Sequence, residues 1–341
     1  MRPSTLSLGS RQVGAGHPCF VLGGAGAAHG GSGDTALRMI EAAFKMGADG
    51  ISFQIFRADL LAVRRHPGRK GLDQIELPAR DWRRVLKAAK ASGLAVVAET
   101  FDAPSLDLAA EATVDALQIH TTDIENPDFI RAVGAVGRPV LLAAGGVPAE
   151  DVAAALDFVG GAPAALLHGI ETFPTAVEEI RFRDIEVWKE RYRVPVGFLD
   201  HTDGSSAFAL VAPALAAAHG ADLVEKHFTL DRHEKGLEYQ SSLSPEDFYR
   251  MVELLRQAER AAGDGASVEG SARYRRGVAR SIVAGTLIPR GEVLTASMLA
   301  FKRTDARLDA GFSPRESHRV IGRRARRPIQ ADETIREDML D

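Results

Sequence analysis

The chain is 341 residues long, 45% hydrophobic, and carries a net charge of −4 with the two signs interspersed. That suffices for a packed core in more than one domain and leaves no basic footprint for nucleic acid; the Arg323, Arg324, Arg326 and Arg327 cluster reads as a solvated face. The single Cys19 excludes an internal disulfide. No apolar run is long enough for a bilayer, and the basic start and apolar run of a signal peptide are missing, so the expectation is a cytoplasmic protein with no membrane partner.

Eight short apolar runs recur along the chain: Pro18–Gly26, Asp49–Phe56, Ala95–Phe101, Ala116–Asp123, Pro139–Gly146, Ala164–Glu171, Pro195–His201 and Asp222–Phe228. Between them lie segments of helical period with start signals, such as Gly33–Gly47 after Ser32, Ala79–Gly93 after Pro78, and Pro148–Gly161. Runs apolar on both faces suit parallel strands covered by helices, and eight β/α units in about 260 residues match a closed (β/α)8 TIM barrel. A doubly wound open sheet is the alternative.

An eighth helix over Ser244–Gly263 ends in the small, polar stretch Ala261–Ser271, which marks a boundary. The expected division is a barrel over 1–265, a linker over 266–280 and a small domain over 281–341. In the last, β-prone pieces (Ser281–Val283, Val320–Ile321) alternate with turns at Pro289–Glu292 and Gln330–Glu333. Its thin core predicts that it docks on something.

Barrel enzymes place catalytic residues at the C-terminal ends of strands. Asp200-His201-Thr202 ends the seventh run and Glu225-Lys226-His227-Phe228 the eighth. Two imidazoles at equivalent positions of adjacent strands converge on one mouth, where neutral rings can hold a divalent metal completed by water and ligand oxygens. Gln54, Thr100, Gln118, Thr121, His168 and Glu171 also sit at strand ends, where backbone partners at the rim can equally satisfy them. Glu238, in the loop Gly236–Ser242, can reach the mouth as a base or as an acceptor for hydroxyls.

At these residues the chain resembles the sialic acid synthase family, which includes bacterial N-acetylneuraminate synthases and the spore coat polysaccharide biosynthesis protein E group. Gly197-Phe198-Leu199-Asp200-His201-Thr202 is similar to the family's G-[YF]-S-D-H-T, and Glu225 to Asp231 to its E-K-H-F-T-L-D. Ser52-Phe53-Gln54 resembles K-F-Q, Thr100-Phe101-Asp102 the T-P-F region, and His168-Gly169 with Phe173-Pro174-Thr175 resembles H-C-T-x-x-Y-P-T. The tail from Arg280 is similar to the family's antifreeze-like (SAF) domain.

The resemblance implies a transferase that joins phosphoenolpyruvate to an N-acetylated amino sugar for polysaccharide biosynthesis. A divalent ion, Mn²⁺ foremost with Co²⁺, Mg²⁺ or Zn²⁺ as alternatives, would rest on His201 and His227. Catalytic roles fall to His201, His227 and Glu238, and the substrate-binding set to Gln54, Thr100, Thr121, Glu171, Phe173 and Arg303, with Arg307 the alternative to Arg303. The family also implies a domain-swapped homodimer, the small domain capping the partner's barrel.

The departures from the family lie in the donor half. Ser52 and Gln118 stand where the family has lysines for phosphoenolpyruvate, Ala143 and Leu199 replace hydroxyl residues, and Glu171 replaces an amide. Gly24 stands where the family has an acid near the metal-bound water. Three readings remain open. The chain is a synthase in which Arg57, His29, His120 or His168 replaces the lost cations; or a metal-dependent aldolase or lyase independent of phosphoenolpyruvate; or a non-catalytic sugar-binding paralogue.

Overall fold

The structure, a computed structural model, describes residues 5–263, 270, 274, 278–304 and 311–341. Arg307, the alternative sugar contact, lies outside the described residues. The chain divides into two compact units, Met1–Ala262 and Gly263–Asp341.

The first unit opens with a hairpin that the sequence reading did not anticipate, β1 (Thr5–Leu8) and β2 (Arg11–Gly14), paired antiparallel. Its Leu6, Leu8 and Val13 share a buried cluster with Phe20, Leu22 and Leu223 of the barrel interior, so the hairpin seals one end of the barrel with apolar side chains. The barrel strands are β3 (Phe20–Gly26), β4 (Gly50–Ile55), β5 (Ala95–Thr100), β6 (Ala116–Ile119), β7 (Val140–Ala143), β8 (Ala164–His168), β9 (Val196–Asp200) and β10 (Leu223–His227). All eight are parallel, and β10 pairs with β3 to close the ring. The doubly wound alternative is thereby excluded.

The helices of this unit are α1 (Gly33–Lys45), α2 (Ala58–Leu61), α3 (Arg69–Ile75), α4 (Ala79–Ala91), α5 (Ala103–Glu111), α6 (Pro127–Ala135), α7 (Ala149–Phe158), α8 (Arg183–Tyr192), α9 (Phe208–Ala218) and α10 (Pro245–Ala262). Their starts follow local chemistry. Ser32 caps α1 by accepting from the Thr35 amide, Asp102 caps α5 through the Ser105 amide, and Ser244 accepts from the Asp247 amide at the head of α10. The outward side chains of the strands and the inner faces of these helices form the larger hydrophobic core.

Several strands are shorter than their apolar runs. The fourth run continues to Asp123, but β6 stops at Ile119, because the Asp123 amide turns back onto the His120 carbonyl at 2.9 Å and Thr121–Asp123 forms a 3-10 helix. The fifth run continues to Gly146, but β7 stops at Ala143; beyond it a Cβ at Gly145 would lie 1.7 Å from the Gly169 carbonyl, so only glycine fits that crossing.

In the second unit β11 (Arg280–Ala284) pairs antiparallel with β12 (Leu299–Arg303), which covers the expected piece Ser281–Val283. Val320–Ile321 is a correction: both amides bond the Ser317 carbonyl at the end of a 3-10 helix, Pro314–Arg319, so they form a turn and no strand. Both expected turns form, with the Glu292 amide on the Pro289 carbonyl and the Glu333 amide on the Gln330 carbonyl. Ile282, Ile288, Leu294, Phe312, Val320, Ile329, Ile335 and Leu340 belong to a core of the unit's own.

Candidate active site at the barrel mouth

Side chains alternate between the two faces of a barrel strand, and this period of two decides what reaches the interior. Leu223 lies in the interior apolar cluster, so Glu225 and His227 on β10 also point inward. Leu199 has the inward parity on β9, which carries His201 with it. The same count turns Ser52 and Gln54 inward from β4, Glu99 from β5, and Gln118 and His120 from β6 and its end. Together with Gly26, Glu171 and Phe173 they line one small cavity.

The two imidazoles meet at a centroid separation of 5.1 Å with their planes tilted by 34°. His201 donates from Nδ1 to the Ile170 carbonyl at 3.2 Å, and its own carbonyl accepts from the Thr175 amide and the Ser241 hydroxyl, each at 2.8 Å. Burial, followed by the neighbouring His227 and Lys226, pushes its pKa well below the ordinary histidine value, so the ring is neutral. His227 Nδ1 lies 3.2 Å from Glu238 Oε2. Phe173 packs edge-on against both rings, at 4.7 and 6.1 Å.

With each Nδ1 facing an oxygen partner, each Nε2 is the nitrogen left to face a ligand; this is how metal-ligating histidines are held by their outer partners. Among the described residues no three His, Cys, Asp or Glu side chains converge as a complete metal site. The donor set therefore fits an open site, with two protein nitrogens and the remaining positions left to water and ligand oxygens.

Glu238 sits in a left-handed conformation, φ +60°, in the loop after β10. A Cβ at Gly26 would come within 3.2 Å of its Oε2 and 3.3 Å of the His227 ring, and Gly26 itself has φ +49°. Glycine there leaves room for the carboxylate to lie against the imidazole.

Below the histidines lies a layer of carboxylates. Glu225 accepts from the Ser52 hydroxyl at 2.5 Å and from the Gln118 amide at 3.0 Å. A Cβ at Gly24 would lie 3.3 Å from Glu225 Oε1, so the absence of a side chain there gives Glu225 its space. Burial raises the pKa of Glu225. Burial also lifts Glu99 to about 8, against the opposing pull of His120. Glu171 binds the His120 ring at 2.7 Å and accepts from the Thr121 hydroxyl at 2.8 Å. Burial lowers His120, but its bond to Glu171 and the nearby acidic charges more than reverse this, to about 9.

The remaining sequence expectations divide. Of the four substitute cations only His120 lines the mouth and is held protonated. Burial drives His29 to about 4 beside Trp82; His168 bonds the Ile180 carbonyl and is lowered by burial; Arg57 pairs with Asp59 and Glu76 away from the cavity. Thr100 has the outward parity, is fully buried, and its hydroxyl meets no partner; the structure does not bring it to the cavity. Ala143 belongs to the apolar interior beneath, Leu199 lines the mouth, and Arg303 lies exposed on β12 of the second unit.

Glu99 and Glu225 were not singled out as site residues from the sequence, although inward parity with Val97 and Leu223 was the available signal. A second omission is the pair behind the histidines. Lys226 Nζ lies 3.2 Å from Asp200 Oδ1, both side chains fully buried, and donates to the Thr202 carbonyl and hydroxyl at 3.0 Å each. Lys226 and Asp200 are register partners of β10 and β9, so this knot ties together the two strand ends that present His201 and His227.

Three comparisons with known proteins agree with this architecture. An uncharacterized protein of Methanocaldococcus jannaschii is 28% identical, with 98% of each chain covered. The N,N'-diacetyllegionaminic acid synthase of Legionella pneumophila is 26% identical, with 96% of each covered. The crystal structure of the N-acetylneuraminic acid (sialic acid) synthetase of Leptospira borgpetersenii in complex with citrate superimposes with a TM-score of 0.73 at 26% identity, over 81% of this chain and 97% of that one. A SAF domain match covers residues 279–341 and a NeuB family match residues 39–267, and on that match, carried by the strands that bear both histidines, the chain belongs to the NeuB family.

Proposed function

We propose that this chain is a metal-assisted enzyme that forms a carbon–carbon bond between a three-carbon enol or keto-acid donor and an amino-sugar-like acceptor, in surface polysaccharide or related carbohydrate biosynthesis. The observation that carries the reading is the pair of inward imidazoles, each with Nδ1 engaged and Nε2 left free. Support comes from relatives whose names are those of synthases of sialic-acid type. A divalent ion held by His201 and His227, Mn²⁺ foremost, would polarise a carbonyl oxygen of the bound ligand. Glu238 fixes the tautomer of His227 and accepts protons or hydroxyl hydrogen bonds beside it. Phe173 excludes water from one side of the two rings, and Gln54, whose side chain hydrogen-bonds Glu99, leaves its remaining amide valences to ligand hydroxyls. On the same reading a second copy of the chain supplies Arg303 to the mouth from its SAF domain.

A second reading, an aldolase or lyase whose donor has no phosphate, is favoured by a specific observation: no lysine or arginine lines the mouth among the described residues, and a carboxylate meets both Ser52 and Gln118. Calorimetric titration with Mn²⁺ tests the common core of both. One ion should bind per chain, and His201→Ala and His227→Ala should each abolish binding while thermal melting stays cooperative. Unchanged binding in both variants would overturn the assignment. Incubating the Mn²⁺ form with an N-acylated hexosamine and either pyruvate or phosphoenolpyruvate, with products read by mass spectrometry, separates the two donors.

A further inference from the structure

Arg280 opens β11 and Arg303 closes β12, and the two are register partners directly across the antiparallel ladder. Partners that face each other in such a ladder project to the same side, with Cβ atoms about 4.5–5.5 Å apart. Both arginines are exposed, and neither meets an acidic side chain among the described residues. Other cations of the unit are paired: Lys302 with Asp332, Arg319 with Glu316, Arg323 with Glu337 and Arg327 with Glu333. Like charges directly opposite one another weaken strand pairing. An anion held between the two guanidinium groups removes that cost.

The same face of the ladder carries an exposed ring. Side chains alternate along a strand, so Arg280, Ile282 and Ala284 share one face with their partners Arg303, Phe301 and Leu299. Ile282 and Ala284 lie in the core of the unit and Leu299 packs against it, whereas Phe301, two residues from Arg303, is 46% exposed. One end of the face is therefore core, and the other presents a phenyl ring and two guanidinium groups to solvent. A guanidinium fork matches the paired oxygens of a carboxylate or phosphate. A neutral hydroxyl would accept from one fork and leave the repulsion between the two in place.

We propose that Arg280 and Arg303 together form an oxyanion site, for a carboxylate or a phosphate, with Phe301 covering the carbon skeleton beside it. The source of the anion rests on the reading above. A keto-acid donor carries a carboxylate, no lysine or arginine lines the mouth among the described residues, and an Arg303 supplied by a second copy brings Arg280 with it.

NMR titration of the metal-free full chain at low ionic strength tests this with inorganic phosphate, pyruvate and glycerol as probes. Phosphate, pyruvate or both should bind saturably, and glycerol at least roughly tenfold more weakly. Tighter binding of pyruvate assigns the site to a carboxylate, and tighter binding of phosphate to a phosphorylated ligand. Arg280→Gln and Arg303→Gln should each lose roughly ten- to hundredfold in anion affinity, the effect of one charge-assisted contact. Arg280→Lys, which keeps the charge and loses the fork, should fall between wild type and Arg280→Gln. Arg290→Gln, in the exposed turn Pro289–Glu292, should lose nothing. Anion affinity that survives Arg280→Gln, or that falls as far in Arg290→Gln, overturns the proposal, as does the lack of saturable anion binding in the wild type. The wild-type titration does not depend on a variant folding. Mn²⁺ binding, lost or kept in His201→Ala, is read separately, so failure of the arginine pair is distinguishable from failure of the metal site.

Discussion

The side chain of Gln118 crosses the barrel from β6 to meet Glu225 of β10 at 3.0 Å, and Ser52 reaches the same carboxylate from β4. Two positions where the family resemblance implies cations thus end on one buried acid. That acid begins the stretch similar to the family's E-K-H-F-T-L-D, so an acid shared with the family meets two neutral donors here, and this shapes most of what can be tested.

The Glu238 side chain meets His227, while the loop is held by the Glu238 carbonyl, which accepts from the Ser241 amide and the Ser242 hydroxyl and which an alanine would keep. Glu238→Ala should therefore weaken Mn²⁺ binding by about 10- to 100-fold, the usual effect of removing a metal ligand's outer partner, while the melting temperature of the metal-free protein moves little. Loss of cooperative melting would show instead that the loop is structural.

The pair Asp200 and Lys226 is fully buried. Lys226→Met leaves Asp200 an unpaired buried charge and should cost about 3–5 kcal/mol in urea unfolding, with the midpoint lowered. Adding Asp200→Asn should recover part of that loss, since the penalty belongs to the stranded charge. A double variant no better than the single one would argue that the packing of the lysine stem matters more than its charge.

Glu99 gives the fold a pH dependence of definite sign. Its carboxyl titrates near 4.5 when unfolded and at about 8 in the folded chain. Below pH 4.5 both states hold the proton and nothing is lost. As pH rises from 4.5 to 8, the unfolded chain releases a proton that the folded chain must keep, so stability declines across that window, by about 5 kcal/mol at most. Glu99→Gln should remove this slope and stabilise the protein more at pH 8 than at pH 5. An equal effect at both pH values would mean that Glu99 is already ionised when folded.

The homodimer remains a proposal with a simple check. Light scattering at micromolar concentration should give twice the chain mass of 36.5 kDa. Arg303→Ala should leave that mass unchanged and weaken sugar binding if the arginine enters a mouth. A monomeric mass counts against the swapped arrangement.

The barrel was legible because parallel strands covered on both faces read as apolar runs, and because Ser32 and Pro78 mark helix starts. The histidine pair was legible because two equivalent strand ends carry it. The hairpin Thr5–Gly14 was not, since strands of four residues give too little alternation to stand out. Nor was the acidic floor: Glu99 and Glu225 lie within apolar runs, and only a strand count anchored on Val97 and Leu223 turns them inward. Thr100 misled for the same reason, being one residue out of phase with Glu99.

The donor can be decided by restoring the missing cations. Wild-type protein should bind phosphoenolpyruvate only weakly, with a dissociation constant on the order of millimolar or above, because Glu225 faces the two positions that lack a lysine. Ser52→Lys with Gln118→Lys adds two ammonium groups, but one of them is spent neutralising Glu225. The double variant should therefore gain only one effective charge-assisted contact, roughly 1.5–3 kcal/mol or about ten- to a hundredfold in affinity. Adding Glu225→Gln frees the second lysine and should give a further gain of similar size. The order of affinities, wild type below double below triple, is the signature, since a pocket altered only by two substitutions would reach its full gain in the double variant. A micromolar dissociation constant in the wild type would show that His120, despite its bond to Glu171, or another cation already holds the phosphate. That result would return the chain to the phosphoenolpyruvate-using synthases. No gain in either variant, in proteins that still melt cooperatively and bind Mn²⁺, would mean that the floor has changed in shape beyond the reach of charge alone.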